Sequence, residues 1–460
     1  MPRSSRTLAA IALLSVLPAA AQEPSNETIE EATTASQRAA GGAAARVVDG
    51  IGEPLLRQLV EEVLARNPGV AAAEARAHAA AQRAPQLRAL PDPVASLTAF
   101  VLPPETRTGP QRLSVGVSQG LPWLGKLALK EQAALYEASA LEGGVEEERL
   151  MLVTEVRRLY HELTFLYRYK EISEELRAHL LQHEEISRSR YSTGIGLGQA
   201  VIQLQAEITR IEKELLDLEA RRVALVSRIN ALRDRPASTP VLLAPDPTAE
   251  EIRLDSDWLI AEALRLRPEL VAAKARIARA DSLARLAEKS YRPDFKVGLA
   301  YTFVDRRDDA AGRLLPPEGN GDDILGLQGG ITLPVRRRKL AAAVEEAAQL
   351  QLAAEATKRQ LDATVATSVG DLAQQVPLAW RQLRLVEDLL IVQAEESLES
   401  AQAAYVAGTL NALDLLDAEH VLFEAQTAVA RATADYLIGL ARLEGAVARS
   451  LTTTMERSEP

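Results

Sequence analysis

His179 and His183 stand four residues apart in a stretch rich in Glu, Leu and Arg. A helix would place both imidazoles on one face, at the spacing of a metal-binding pair. Two ligands are too few to hold a structural zinc ion, so the pair reads as surface residues of a helix without a metal. His161-Glu162 lacks the second histidine that a zinc-protease helix needs. Gly194, Gly196 and Gly198 superficially suggest a nucleotide loop, but no strand precedes them, and a turn between helices explains them better. The chain shows neither a Ser-His-Asp cue nor a carboxylate pair at a strand end. No catalytic residue, cofactor or bound metal is expected.

Composition narrows the classes further. Cysteine is absent, which removes disulfides, thiolate ligands and an acylatable N-terminal cysteine. The formal charge is −11, and it gives no electrostatic reason to bind nucleic acid or an anionic membrane surface. Aromatics are only 4% of a chain full of Ala, Leu, Glu, Arg and Gln, the composition of long helices. Arg3 and Arg6, the apolar run Leu8 to Leu17 and then Ala19-Ala20-Ala21 have the layout of a secretory signal peptide, expected over residues 1–21. Residues 22–50 lack periodicity and are expected to form a flexible arm; residues 450–460 look like a flexible tail.

Between these ends the chain is written twice, over residues 51–250 and 251–449. Asn67-Pro68 answers Arg267-Pro268, Pro91-Asp92 answers Pro293-Asp294, and Leu121-Pro122 answers Leu333-Pro334. Tyr191-Ser-Thr-Gly194 answers Tyr405-Val-Ala-Gly408. Each copy reads helix, strand, strand, long helix, glycine turn, long helix. Strands are expected near 94–102, 111–119, 294–304 and 324–333, where the hydropathy alternates with period two. Phe295, Val297, Leu299, Tyr301 and Phe303, for example, alternate with Lys296, Gly298, Ala300 and Thr302. Short strands apolar on one face and small or polar on the other are the unit of an outer-membrane barrel.

Four strands cannot close a barrel, and an open edge cannot persist in hydrocarbon, so the chain must oligomerise. Two copies would give a filled interior; three would give twelve strands and a lumen. The fold class expected is mainly α with a small β part, an outer-membrane β-barrel closed by several copies and continued by an α-helical periplasmic tunnel, and geometry prefers a trimeric barrel if something must pass through it. The hairpin loops 103–110 and 305–323 should face outside. Val201, Leu204, Ile208, Ile211, Leu215, Leu218, Leu225, Ile229 and Leu232 keep a heptad seam, matched upstream by Leu152, Val156, Leu159, Leu163 and Leu166. The segments flanking Gly194 should pair as an antiparallel coiled coil.

Over residues 54–450 the chain resembles the TolC-type outer-membrane efflux factors. The resemblance is carried by the repeat order, by Gln119-Gly-Leu-Pro122-Trp-Leu-Gly-Lys126, and by Tyr405-Val-Ala-Gly408-Thr-Leu-Asn-Ala-Leu-Asp414-Leu-Leu-Asp417-Ala. The proline and Gly-Lys pattern looks most like the branch that works with heavy-metal exporters.

The resemblance implies a homotrimer in the outer membrane of a two-membraned bacterium, in contact with its lipid. It would be the passive exit duct of a tripartite efflux or type I export system. A periplasmic adaptor and an inner-membrane transporter of RND or ABC type would be its partners, and metal cations or drugs its cargo. The turns at Gly194, Ile195, Gly196 and Leu197 and at Gly408, Thr409 and Leu410 would meet the adaptor. Asp414 and Asp417, with Tyr405, would form the tunnel-mouth gate, where three chains converge up to six carboxylates and favour cations. Ala200 and Gln203 occupy the matching positions of the first repeat. Leu410 stands where the family often has a basic residue tied to the position of Tyr405. The competing reading is a periplasmic adaptor or structural coiled-coil protein outside the membrane, which would carry one helical hairpin flanked by β-rich domains.

Overall fold

The computed structural model describes residues 42–194, 198–244 and 249–451. The expected signal, residues 22–41 of the expected arm, residues 195–197 and the tail beyond 451 lie outside the described residues. The first repeat contains α1 (Ala43–Val48), α2 (Pro54–Arg66), α3 (Pro68–Ala81), α4 (Arg83–Arg88), β1 (Val94–Ala99), β2 (Glu105–Thr106), β3 (Gly109–Leu121), α5 (Lys126–Ser192) and α6 (Gly198–Leu232). The second contains α7 (Ser256–Leu266), α8 (Pro268–Lys289), β4 (Asp294–Val304), α9 (Ala310–Leu314), β5 (Ile324–Thr332), α10 (Arg337–Leu385), α11 (Ile391–Val406) and α12 (Ala412–Val447). A single π-helical segment, Val386–Leu390, joins α10 to α11.

Two boundaries differ from expectation. The flexible arm does not reach Gly50, because α1 buries Ala43, Ala44, Val47 and Val48, with Ile51, in one cluster with Leu56, Leu59, Val153 and Val156. Six residues cannot hold a helix alone, and packing of the apolar side chains supplies what local propensity lacks. Ser450 and Leu451 are likewise buried, so no flexible tail begins at Ser450.

Both repeats break their first helix at the same place. Asn67 and Arg267 precede prolines and take extended backbone, with ψ of 122° and 129°, because the proline ring disfavours the helical conformation of the residue before it. Asn67 Oδ1 then accepts from the Gly69 and Val70 N–H groups and caps α3.

The four long strands form an antiparallel sheet in the order β1-β3-β4-β5, with β2 a short addition to β3. Its register gathers like with like. Leu97 faces Val115, Val117 faces Leu299, and Leu299 faces Leu327, giving one continuous apolar surface. On the other face Ser96, Gly116, Ala300 and Gly326 form a row of small residues. The apolar face is uncovered within the chain: Leu97 is 70% and Leu327 84% exposed. β1 and β5 pair on one side only.

α5 runs 67 residues, about 100 Å at 1.5 Å per residue. It pairs with α6 through Leu152, Val156, Leu159 and Leu163 against Val226 and Ile229 around the middle of α5, and through Ile172, Leu176 and Leu180 against Leu204 and Ile211 towards Gly194. The second repeat builds a matching core from Leu259 and Ala263 with Val365, Val369, Val376, Tyr436, Leu440 and Leu443. Phe423 of α12 enters the outer cluster of α5 and α6, so the two hairpins share a core.

Candidate functional site

The ends of the helical hairpins farthest from the sheet carry the residues singled out by sequence. Gly194 and Gly408 adopt φ of +79° and +75°, a conformation that glycine takes without the steric cost of a Cβ. The Gly408 N–H donates to the Tyr405 carbonyl and the Gly194 N–H to that of Tyr191, so both turns close alike. Gly408 and Thr409 are exposed, whereas Leu410 is half-buried against the cluster of Leu398, Tyr405, Leu415 and Ala418. Leu410 thus supports the turn from beneath. Ile195, Gly196 and Leu197 lie outside the described residues.

Asn411 caps α12, its Oδ1 accepting from the N–H groups of Leu413 and Asp414. Asp414 sits in the first turn, where the helix N-terminus favours a negative charge. Asp417 follows one turn later, and both carboxylates are exposed. Tyr405 is buried, and the guanidinium of Arg190 lies 4.5 Å from the centre of its ring. The cation on this ring comes from α5, in the other repeat. A basic residue four before Gly194 was visible in the sequence, but nothing in its spacing paired it with Tyr405.

A second set of ties lies deeper. His183 Nε2 of α5 is 2.7 Å from Glu419 Oε1 of α12, and the Glu419 side chain is only 2% exposed. His420 Nε2 lies 3.0 Å from Glu207 Oε1 of α6. His183 is therefore a half-buried link between repeats and not the surface residue expected, whereas His179 stays largely exposed, 4.0 Å from the same carboxylate oxygen. Among the described residues no group of three or more His, Cys, Asp or Glu side chains is placed to hold a metal. The sequence signal for these ties was weak, since each partner lies more than 200 residues away.

Comparison with known proteins bears on what such an arrangement does. Residues 259–449 match the family model described as outer membrane efflux protein. No curated protein matches the chain. Its fold is that of solved outer-membrane channels. OprN shares 18% identity at a TM-score of 0.73, with 87% of this chain and 91% of that one covered. VceC of Vibrio cholerae shares 21% at 0.70, with 86% and 96% covered. The open state of MtrE from Neisseria gonorrhoeae shares 18% at 0.69, with 87% and 91% covered.

The family-model match over residues 259–449 and the fold likeness point to the same architecture. Two helical hairpins and a sheet with an exposed apolar face do not fit the adaptor reading, which requires one hairpin between β-rich domains. Among the described residues no helix is long and apolar enough to cross a membrane. An exposed apolar surface lies on the sheet.

Proposed function

We propose that three copies of this chain close a twelve-stranded barrel in the outer membrane, continued into the periplasm by a tunnel of their helical hairpins. The protein is the outer-membrane channel component of an efflux system, a passive duct for cargo delivered from the inner membrane. The observation that carries the reading is the sheet: a continuous apolar face and two single-sided edge strands on one chain. Hydrocarbon leaves no water to satisfy those edges, so only neighbouring copies can pair them. Exposed leucines on α10, including Leu350 and Leu378, give the helices apolar surface for the same copies to cover.

The exposed turns at Gly194 and Gly408 are the contact points for a periplasmic adaptor, which couples the duct to an inner-membrane transporter of RND or ABC type. Asp414 and Asp417 ring the narrow end, and their mutual repulsion makes that mouth favour cations, whether metal ions or cationic drugs. The Arg190–Tyr405 contact and the His183–Glu419 pair hold the two hairpins together there, and opening requires them to part. Reconstitution of the purified protein into a planar bilayer tests the reading. Discrete steps of one conductance support a duct, and a silent bilayer with correctly assembled protein overturns it.

A further inference from the structure

The acidic balance of the whole chain hides a local excess of positive charge at one level of the molecule. The register aligns Leu121, Phe295 and Ile331 in one row. At that end β3 runs into α5, α8 into β4, and β5 into α10. Arg336, Arg337, Arg338 and Lys339 follow one another at the start of α10, all exposed, and Arg292 and Lys289 approach from the end of α8. Of the carboxylates around this level, Asp294 is engaged by Lys126 and the Trp123 N–H, and Glu131 of α5 pairs with Arg88.

The cations are arranged beside rings. The Arg292 guanidinium lies 5.9 Å from the centre of Trp123, and that of Arg337 lies 5.5 Å from Tyr291. Such stacking orients a guanidinium without consuming its N–H fork, which stays available to a phosphate. Among the described residues Arg336, Arg338 and Lys339 have no ion-pair partner. Leu124 and Val335, 85% and 75% exposed, project apolar side chains at the same junctions. Trp and Tyr at the edge of an apolar band, with basic residues just beyond it, is the pattern of a membrane–water interface.

We infer that the junction between sheet and helices is a binding belt for anionic phospholipid headgroups of the leaflet on the helical side. The inference rests on the sheet spanning the outer membrane. Leu124, Val335 and Trp123 would enter the upper acyl region, and the Arg336–Lys339 run would neutralise the phosphates. Clusters of this size at a membrane boundary select anionic over zwitterionic lipid. The belt would fix the height of the barrel in the bilayer, and three copies would repeat it around the ring.

The test uses the full-length protein extracted from outer membranes and purified in mild detergent. Native mass spectrometry and thermal unfolding are measured with phosphatidylglycerol, phosphatidylethanolamine or inorganic phosphate added. The expected result is selective retention of, and stabilisation by, phosphatidylglycerol. In the variant Arg336→Gln/Arg337→Gln/Arg338→Gln/Lys339→Gln retention falls on the order of tenfold or more. If that variant does not assemble, the pair Arg338→Gln/Lys339→Gln should show a smaller loss in the same direction. Equal response to the two lipids, equal stabilisation by inorganic phosphate, or unchanged selectivity in the variants overturns the belt. Failure of the unaltered chain to reach the outer membrane sinks the duct reading itself and the belt with it.

Discussion

His183 and Glu419 meet at 2.7 Å although one belongs to the first repeat and the other to the second. Their contact ties α5 to α12 towards the hairpin ends that carry Gly194 and Gly408, where the proposed opening would part them. Glu419 is the more buried partner, and its second oxygen has no hydrogen bond among the described residues. The carboxylate therefore depends on the imidazole.

His183→Leu leaves that carboxylate buried without its partner. A cost of about 2–4 kcal/mol is expected in denaturant unfolding. The double variant His183→Leu/Glu419→Leu should recover part of it, because no orphaned charge remains. Strictly additive losses would show that the pair is not coupled.

Arg190 and Tyr405 form the outer tie. Arg190→Ala and Tyr405→Ala are each expected to raise the open fraction of single channels, whereas Tyr405→Phe, which keeps the ring, should leave it unchanged. A contact of this kind contributes about 0.5–2 kcal/mol, so the open-to-closed ratio should rise by up to roughly thirtyfold.

Asp414→Asn and Asp417→Asn address ion preference. Removing either ring of carboxylates should shift the reversal potential in a salt gradient towards lower cation selectivity, and removing both should shift it further. An unchanged reversal potential in the double variant would show that the two side chains do not line the mouth.

His161 predicts a pH dependence. Burial, with Arg157 nearby, pushes its imidazole from 6.5 down to about 3. Between those values the unfolded chain takes up a proton that the folded chain refuses, so stability is complete above about pH 6.5 and falls as the pH drops towards 3. The slope from this group approaches about 1.4 kcal/mol per pH unit. His161→Leu should flatten the stability profile over that window and leave it unchanged above pH 7.

The two faces of the sheet should respond differently to charge. Leu327→Arg, on the apolar face, is expected to cost about 2–4 kcal/mol or to abolish assembly, as a cation held against hydrocarbon does. Gln328→Arg, on the opposite face of the same strand, should be tolerated. The amount of folded protein recovered from outer membranes measures both.

How much of this could be read from the sequence depended on the range of the interaction. Alternation in 295–303 is written residue by residue, because a strand turns each side chain to the opposite face of its predecessor. The breaks at Asn67 and Arg267 are equally local. Ala43–Val48 carried too few residues for a periodic signal, and its helix exists because distant Leu56 and Val153 cover it. Arg190 with Tyr405, and His183 with Glu419, are more than 200 residues apart, and nothing in either neighbourhood names the partner. Net charge averaged away the basic run Arg336–Lys339, which the junction geometry concentrates.

The mass of the complex extracted from the outer membrane is the most direct test, because the whole reading depends on neighbouring copies closing the four-stranded sheet. The expected particle contains three chains and resists dissociation in mild detergent. A soluble monomer or dimer in the periplasmic fraction would contradict it.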